Sequence, residues 1–179
     1  CVPLVATTGN HDVDSRRKFS PHDPRENVRF ALEGYPVAAQ LLRNEYWADD
    51  SCVLEIGEAR IVLLNSSSLH DNVEQAAHGE VSIAAVQRLR TKLDRSPAPL
   101  FNILACHHHP HRYGDFDAYD QAAMVNSDEL IHMLDARPEP WTILHGHKHR
   151  PRVSYAAGGN SSPALFGAGS FSASLSADV

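Results

Sequence analysis

One apolar run, residues 100–105, constrains the fold more than any other feature of this sequence. It is nearly continuous, follows Pro97 and Pro99, and is succeeded by a cysteine and three histidines. A strand that is apolar at successive positions is typically buried on both faces, as in the centre of a parallel sheet. We therefore expect a layered α/β domain with this strand inside its sheet.

Further strand and helix patterns alternate along the chain before and after this run. Gly57 and Glu58 separate two short apolar runs as a hairpin turn would. Ser82 and Ser127 are each expected to cap a helix. Residues 14–33 are polar and contain prolines, which indicates a surface excursion that shapes a pocket together with residues 112–120. A further helix is predicted over residues 35–46, and further strands over residues 2–6, 52–56, 60–65, 141–144, 152–156 and 164–166.

Length, charge and cysteine usage exclude several classes of protein. The 179 residues suit one domain, which we assign to residues 1–179. A net charge of -6 argues against nonspecific nucleic-acid binding, although a bound metal could still attract a phosphate substrate. No apolar run approaches the ~18–20 residues that a membrane span needs. Three scattered cysteines form no disulfide framework, so the sequence predicts a reducing, cytoplasmic location.

Polar residues that bind metals well follow three of the predicted strands. A single histidine is more often a solvated or core residue than a ligand, so His22, His70, His78 and His132 are assigned no function. Three strand ends with such residues in one small domain do indicate a functional site. In open α/β sheets the binding sites lie at the carboxyl edge of the strands. The three segments read G-N-H-D at residues 9–12, C-H-H-H-P at residues 106–110 and G-H-K-H at residues 146–149.

In this order the three segments resemble the later signature elements of the calcineurin-like metallophosphoesterase superfamily, which read G-N-H-[DE], H-x-P and G-H-x-H. The resemblance extends over about residues 2–150. It implies an α/β fold, a layered β-sandwich flanked by helices. It also implies hydrolysis of phosphate mono- or diesters with two divalent or trivalent metal ions, of which Mn, Fe and Zn suit imidazole and carbonyl ligands.

The resemblance assigns roles to individual residues. Asn10, His108 and His147 are expected to hold one metal ion, and His149 is expected to bind the other. His11 is expected to stand beside the metals as a proton donor or transition-state stabiliser.

The choice of His108 within the three histidines depends on Pro110, which makes His108 the first residue of H-x-P. His107 and His109 are then its neighbours, one of which reaches substrate or a residue behind the metal ligands.

Two earlier elements of the family, D-x-H and G-D-x-x-D, normally precede G-N-H-[DE]. Only nine residues precede Asn10, and they contain neither aspartate nor histidine. We therefore expect the N-terminal strands of the fold to be missing from this chain. A missing segment or another chain would be needed to complete the site, and the chain alone would bind metal weakly and hydrolyse esters poorly.

Other functions were weighed against a phosphoesterase. A catalytically inactive relative that acts as a binding or scaffold domain would retain the same motifs. A structural zinc module built on Cys106 is less well supported, because Cys106 lacks the nearby cysteine that such sites usually have. A serine hydrolase is not supported, since residues 167–170 read G-A-G-S and lack the G-x-S-x-G elbow.

Overall fold

The computed structural model describes residues 4–31, 33–112, 123–156 and 163–169. Helices and strands alternate along these ranges, which confirms the predicted α/β class. The helices are α1 (Glu26–Ala31), α2 (Gln40–Asp49), α3 (Val73–His78), α4 (Ile83–Leu93) and α5 (Ser127–Asp135). The strands are β1 (Ser51–Ile56), β2 (Ala59–Leu64), β3 (Phe101–Cys106), β4 (Trp141–His145), β5 (Arg152–Tyr155) and β6 (Ala164–Gly167). None of these helices is long and apolar enough to cross a lipid bilayer.

The six strands form one mixed sheet in the order β1-β2-β3-β4-β6-β5. Strands β2, β3, β4 and β6 run parallel, and β1 and β5 pair antiparallel at the two edges. Cys106 at the end of β3 lies in register with His145 at the end of β4. The residues that follow these two strands therefore leave the sheet side by side. The described residues contain no second sheet of the predicted sandwich, and the expected absence of N-terminal strands stays a prediction.

Two hydrophobic clusters cover the two faces of the sheet. Val62 and Leu64 of β2 belong to the larger cluster with buried residues of α4 and α5, among them Leu89. Leu63, between them, belongs to the smaller cluster with Tyr46 of α2. This alternation follows from the two-residue period of a strand, whose successive side chains point to opposite faces. The smaller cluster covers its face at β1 and β2, whereas the residues of β3 on that face are exposed or only partly buried. The burial of the central strand on both faces, predicted from its apolar composition, is therefore wrong for one of them.

Several local predictions are wrong at their boundaries. The described part of the strand predicted over residues 2–6 is not a strand of the sheet. It forms only an isolated bridge, between Val5 and Val37. The helix predicted over residues 35–46 begins at Gln40 and ends where Asp50 turns left-handed. Ser82 caps α4 as predicted. Ser127 is instead the first residue of α5, and Asn126 precedes it without a side-chain cap.

Candidate metal centre

The segments after β3 and β4 meet the turn that carries Asn10. The Nε2 atom of His107 lies 2.9 Å from the Oδ1 atom of Asn10 and 3.3 Å from the Nδ1 atom of His147. The backbone N–H of Gly146 donates to the carbonyl of His107 at 3.0 Å, which ties the two strand ends together. Three atoms that can bind a metal therefore surround one small volume at the carboxyl edge of the sheet.

Residues 8–12 are held in place by contacts from outside the sheet. The buried hydroxyl of Tyr46 accepts from the backbone N–H of Thr8 and donates to its side-chain oxygen, both at 2.9 Å. The Asp12 carboxylate accepts from the backbone N–H of Gly9 at 2.8 Å. A Cβ at Gly9 would lie only 3.0 Å from the His107 ring, so glycine allows the two segments to approach this closely without a shift of the ring.

Both ring nitrogens of His108 are used inside the protein. Its Nε2 lies 3.2 Å from the carbonyl of Ala76, so this nitrogen carries a proton and donates it. The Ser66 hydroxyl accepts from the backbone N–H of His108 at 3.2 Å and donates to Nδ1 at 2.9 Å. The backbone of Gly79 packs against the same ring. His108 is thus a fully buried, hydrogen-bonded side chain between β3 and α3.

His147 presents one nitrogen to α3 and the other to His107. Its Nε2 lies 2.9 Å from the carbonyl of Ala77 and therefore carries the proton. The Nδ1 atom then has its lone pair directed at His107. Both His147 and His149 have left-handed backbones, with φ angles of 72° and 57°. This conformation, unusual for residues other than glycine, lets the chain turn sharply after β4.

Burial keeps the histidines of this region uncharged. It lowers the pKa of His107 to about 4, of His147 to about 3 and of His108 to about 2, and neighbouring histidines act in the same direction. His70 is 1% exposed, its ring centre lies 5.0 Å from that of His108, and burial lowers its pKa to about 4. Metal ions bind neutral imidazole, so the cluster is in the state that a ligand needs.

The structure places the predicted site residues in three different settings. The ligand atoms of His107, His108 and His147 all lie within 4.8 Å of one another, so this group could hold a metal ion. Asn10 joins it through His107. The side chains of His11 and His149 are exposed, and neither belongs to the group found among the described residues.

His107 is a residue whose role the sequence did not decide. The proline spacing directed attention to His108, whereas the pairing of the strands marks His107 as the first residue beyond β3. The register of Cys106 with His145 could have indicated that His107 and the G-H-K-H segment leave the sheet together.

A cavity of about 500 Å³ opens beside this cluster. Asn10 and His11 form part of its lining, which continues onto residues 13–16, 18 and 19 on one side and onto α3 on the other. This is consistent with the prediction that residues 14–33 shape a pocket. Of residues 112–120, also predicted to shape it, residues 113–120 lie outside the described residues.

The fold and this site together define an α/β domain with a histidine cluster that could hold a metal ion. No protein-family model matches the chain, and no curated protein matches it. Among solved structures it is similar to the structure of PhoD, with 17% sequence identity and a TM-score of 0.47 over 67% of this chain. The match spans 28% of the length of that PhoD chain.

Proposed function

We propose that this chain is the metal-binding part of a phosphoesterase that hydrolyses phosphate mono- or diesters. The observation that carries the proposal is the position of His107 Nε2, which lies 2.9 Å from the Oδ1 atom of Asn10 and 3.3 Å from the Nδ1 atom of His147. Two acceptors beside one ring nitrogen present the arrangement that a cation can take over. The three motifs support the phosphoester class, because the resemblance associates them with that chemistry.

The geometry supports Asn10, His107 and His147 as the ligands of one divalent ion. The prediction from the sequence named His108 in place of His107. His108 would have to give up its bond with Ser66 or with Ala76 to offer a lone pair. His107 would offer the Nε2 lone pair once its proton is carried on Nδ1, and the ion would replace the contact of Nε2 with Asn10. We therefore assign the ligand role to His107 and a positioning role to His108.

The remaining groups fit the same reaction. A bound divalent ion supplies positive charge to the phosphate oxygens and lowers the pKa of a water molecule. His11, exposed on the cavity wall beside Asn10, would give a proton to the leaving oxygen of the ester. His149, in the same turn as His147, remains our proposal for the second ion. Imidazole and carbonyl ligands suit Mn, Fe or Zn.

Metal binding tests the ligand assignment directly. Calorimetric titration with Mn²⁺ should show binding that weakens in His107→Ala by more than the ~10–100-fold typical of losing a residue behind a ligand. His108→Gln should retain binding within that range, and His132→Gln on the exposed face of α5 is the matched control. Equal losses in His107→Ala and His132→Gln would contradict the assignment, and a larger loss in His108→Gln than in His107→Ala would restore His108 as the ligand.

Hydrolysis separates an enzyme from an inactive relative. With Mn²⁺ present we expect slow release of nitrophenol from bis-p-nitrophenyl phosphate, abolished in Asn10→Ala and unchanged in His132→Gln. Slow turnover is expected because the ligands assigned here include no aspartate of the D-x-H and G-D-x-x-D elements, which by the resemblance complete the site. Tight Mn²⁺ binding without hydrolysis of mono- or diesters would favour a binding or scaffold domain.

A further inference from the structure

The cavity beside the metal centre has a cationic and apolar wall that the reaction itself does not require. Arg16 and Lys18 lie on this wall, and neither forms an ion pair with another described residue. Phe19 and Val73 add apolar surface and are 73% and 54% exposed. A pocket of about 500 Å³ falls in the range of small-molecule sites, so it has room for more than a phosphate.

The loop that carries these side chains is held in one shape by Asp14. Its carboxylate accepts from the backbone N–H groups of Lys18, Phe19 and Ser20 at 3.0, 2.5 and 2.8 Å. The hydrogen bond from Phe19 is the largest of the causes that lower the pKa of Asp14. The carboxylate is therefore engaged with the backbone of its own loop and lines the cavity together with Arg16 and with Lys18, whose positive charge also acts on it.

A second contact fixes this loop relative to α3. Arg17 forms an ion pair with Asp71 at 3.1 Å, two residues before α3 begins, and also donates to the carbonyl of Pro21 at 3.0 Å. Arg17 points away from the cavity lining while Arg16 and Lys18 belong to it. The two walls are thus tied together at one end. A tied loop keeps the cations near the metal centre at lower entropic cost than a free loop would.

We propose that this cavity holds the alcohol portion of the ester and selects alcohols that carry a second negative charge. Arg16 and Lys18 attract that charge, and Phe19 and Val73 contact the apolar body that joins it to the phosphate. Lys18 Nζ already lies 5.2 Å from the centre of the Phe19 ring, so charge and aromatic surface are presented together. This specificity rests on the proposed function and names its substrate class.

A matched pair of non-hydrolysable ligands tests the charge selection apart from turnover. The probes are 4-(carboxymethyl)phenylphosphonate and its carboxamide, which differ in the second charge alone. Calorimetry with Mn²⁺ present should show tighter binding of the carboxylate. Lys18→Gln and Arg16→Gln should each reduce that preference about two- to fivefold, as loss of an exposed charge pair would. Arg90→Gln, the same charge change on an exposed position of α4, is the control and should leave it unchanged.

The outcomes separate the two proposals. Equal affinity for the two phosphonates, no binding of either, or the same loss in Arg90→Gln as in Lys18→Gln would overturn the charge selection. Turnover is then measured with the corresponding phosphate esters. A carboxylate preference that depends on Lys18, combined with no hydrolysis of either ester, would overturn the proposed reaction and leave the charge-selective pocket standing.

Discussion

Gly79→Ala is the substitution whose effect the structure defines best. Gly79 follows α3 with φ 68° and ψ 162°, a backbone region that is essentially reserved for glycine. A Cβ at this position would lie 2.2 Å from Cγ and 2.3 Å from Nδ1 of the His108 ring. The ring cannot easily move, because Ser66 and Ala76 hold its two nitrogens. Alanine therefore forces either the backbone or His108 out of place.

The cost can be assembled from these contacts. A strained positive-φ residue costs about 1–3 kcal/mol. Displacing His108 gives up two hydrogen bonds, each worth about 0.5–1.5 kcal/mol. Together these terms predict a loss of about 2–6 kcal/mol in the free energy of unfolding. For a urea m-value of about 2 kcal/mol per molar, the unfolding midpoint should fall by at least about 1 M.

Gly57→Ala is the matched control. Gly57 also has a positive φ, 60°, in the turn between β1 and β2, but a Cβ there would meet nothing within 4 Å. We expect a loss of only about 1–2 kcal/mol, the cost of a left-handed backbone alone. Urea unfolding followed by tryptophan fluorescence compares the two variants. Equal midpoints for Gly79→Ala and Gly57→Ala would refute the reasoning, since only one of them can displace His108.

Two further predictions concern groups buried around the metal centre. The metal-free protein should have its full histidine-dependent stability above about pH 6.5 and lose it on acidification, because the unfolded chain binds protons that the folded state refuses. Below about pH 6.5 the free energy of unfolding should fall by up to ~1.4 kcal/mol per pH unit for each such histidine. Urea midpoints that stay flat from pH 7.5 to pH 5 would contradict this prediction. Tyr46→Phe should cost about 1–3 kcal/mol and weaken Mn²⁺ binding, because it removes the acceptor of the Thr8 N–H beside Asn10. Tyr155→Phe, 61% exposed, is the control, and equal effects on unfolding would refute the role of Tyr46. The histidines of the pH prediction are His70, His107, His108 and His147, whose pKa values are lowered to about 4, 4, 2 and 3.

The central sheet could be predicted because its signals are local. The run at residues 100–105 corresponds to β3 within one residue, because apolar residues at successive positions favour a strand inside a sheet. The turn at Gly57 was predicted from the glycine and confirmed by the antiparallel pairing of β1 with β2. By contrast, α3 was missed, because six residues reading V-E-Q-A-A-H are too short to show an apolar period.

The candidate site, like the fold, could be predicted only where its signals are local in the sequence. Asn10 and His147 could be identified from motifs at strand ends, and the structure brings each of them to His107. The choice between His107 and His108 depends on contacts with Ser66 and Ala76, which lie 42 and 32 residues from His108 in the sequence. No local pattern reports such partners. The role of α3 as a source of carbonyl acceptors was hidden for the same reason.

The left-handed turn after β4 has a cost that the rest of the fold must offset. Glycine would adopt the backbone of residues 147 and 149 without strain, whereas the two histidines found there cost about 1–2 kcal/mol each. Selection for stability alone would therefore favour glycine at both positions. The proposed role of His147 and His149 as ligands would account for side chains at these two positions, as a trade of stability for function.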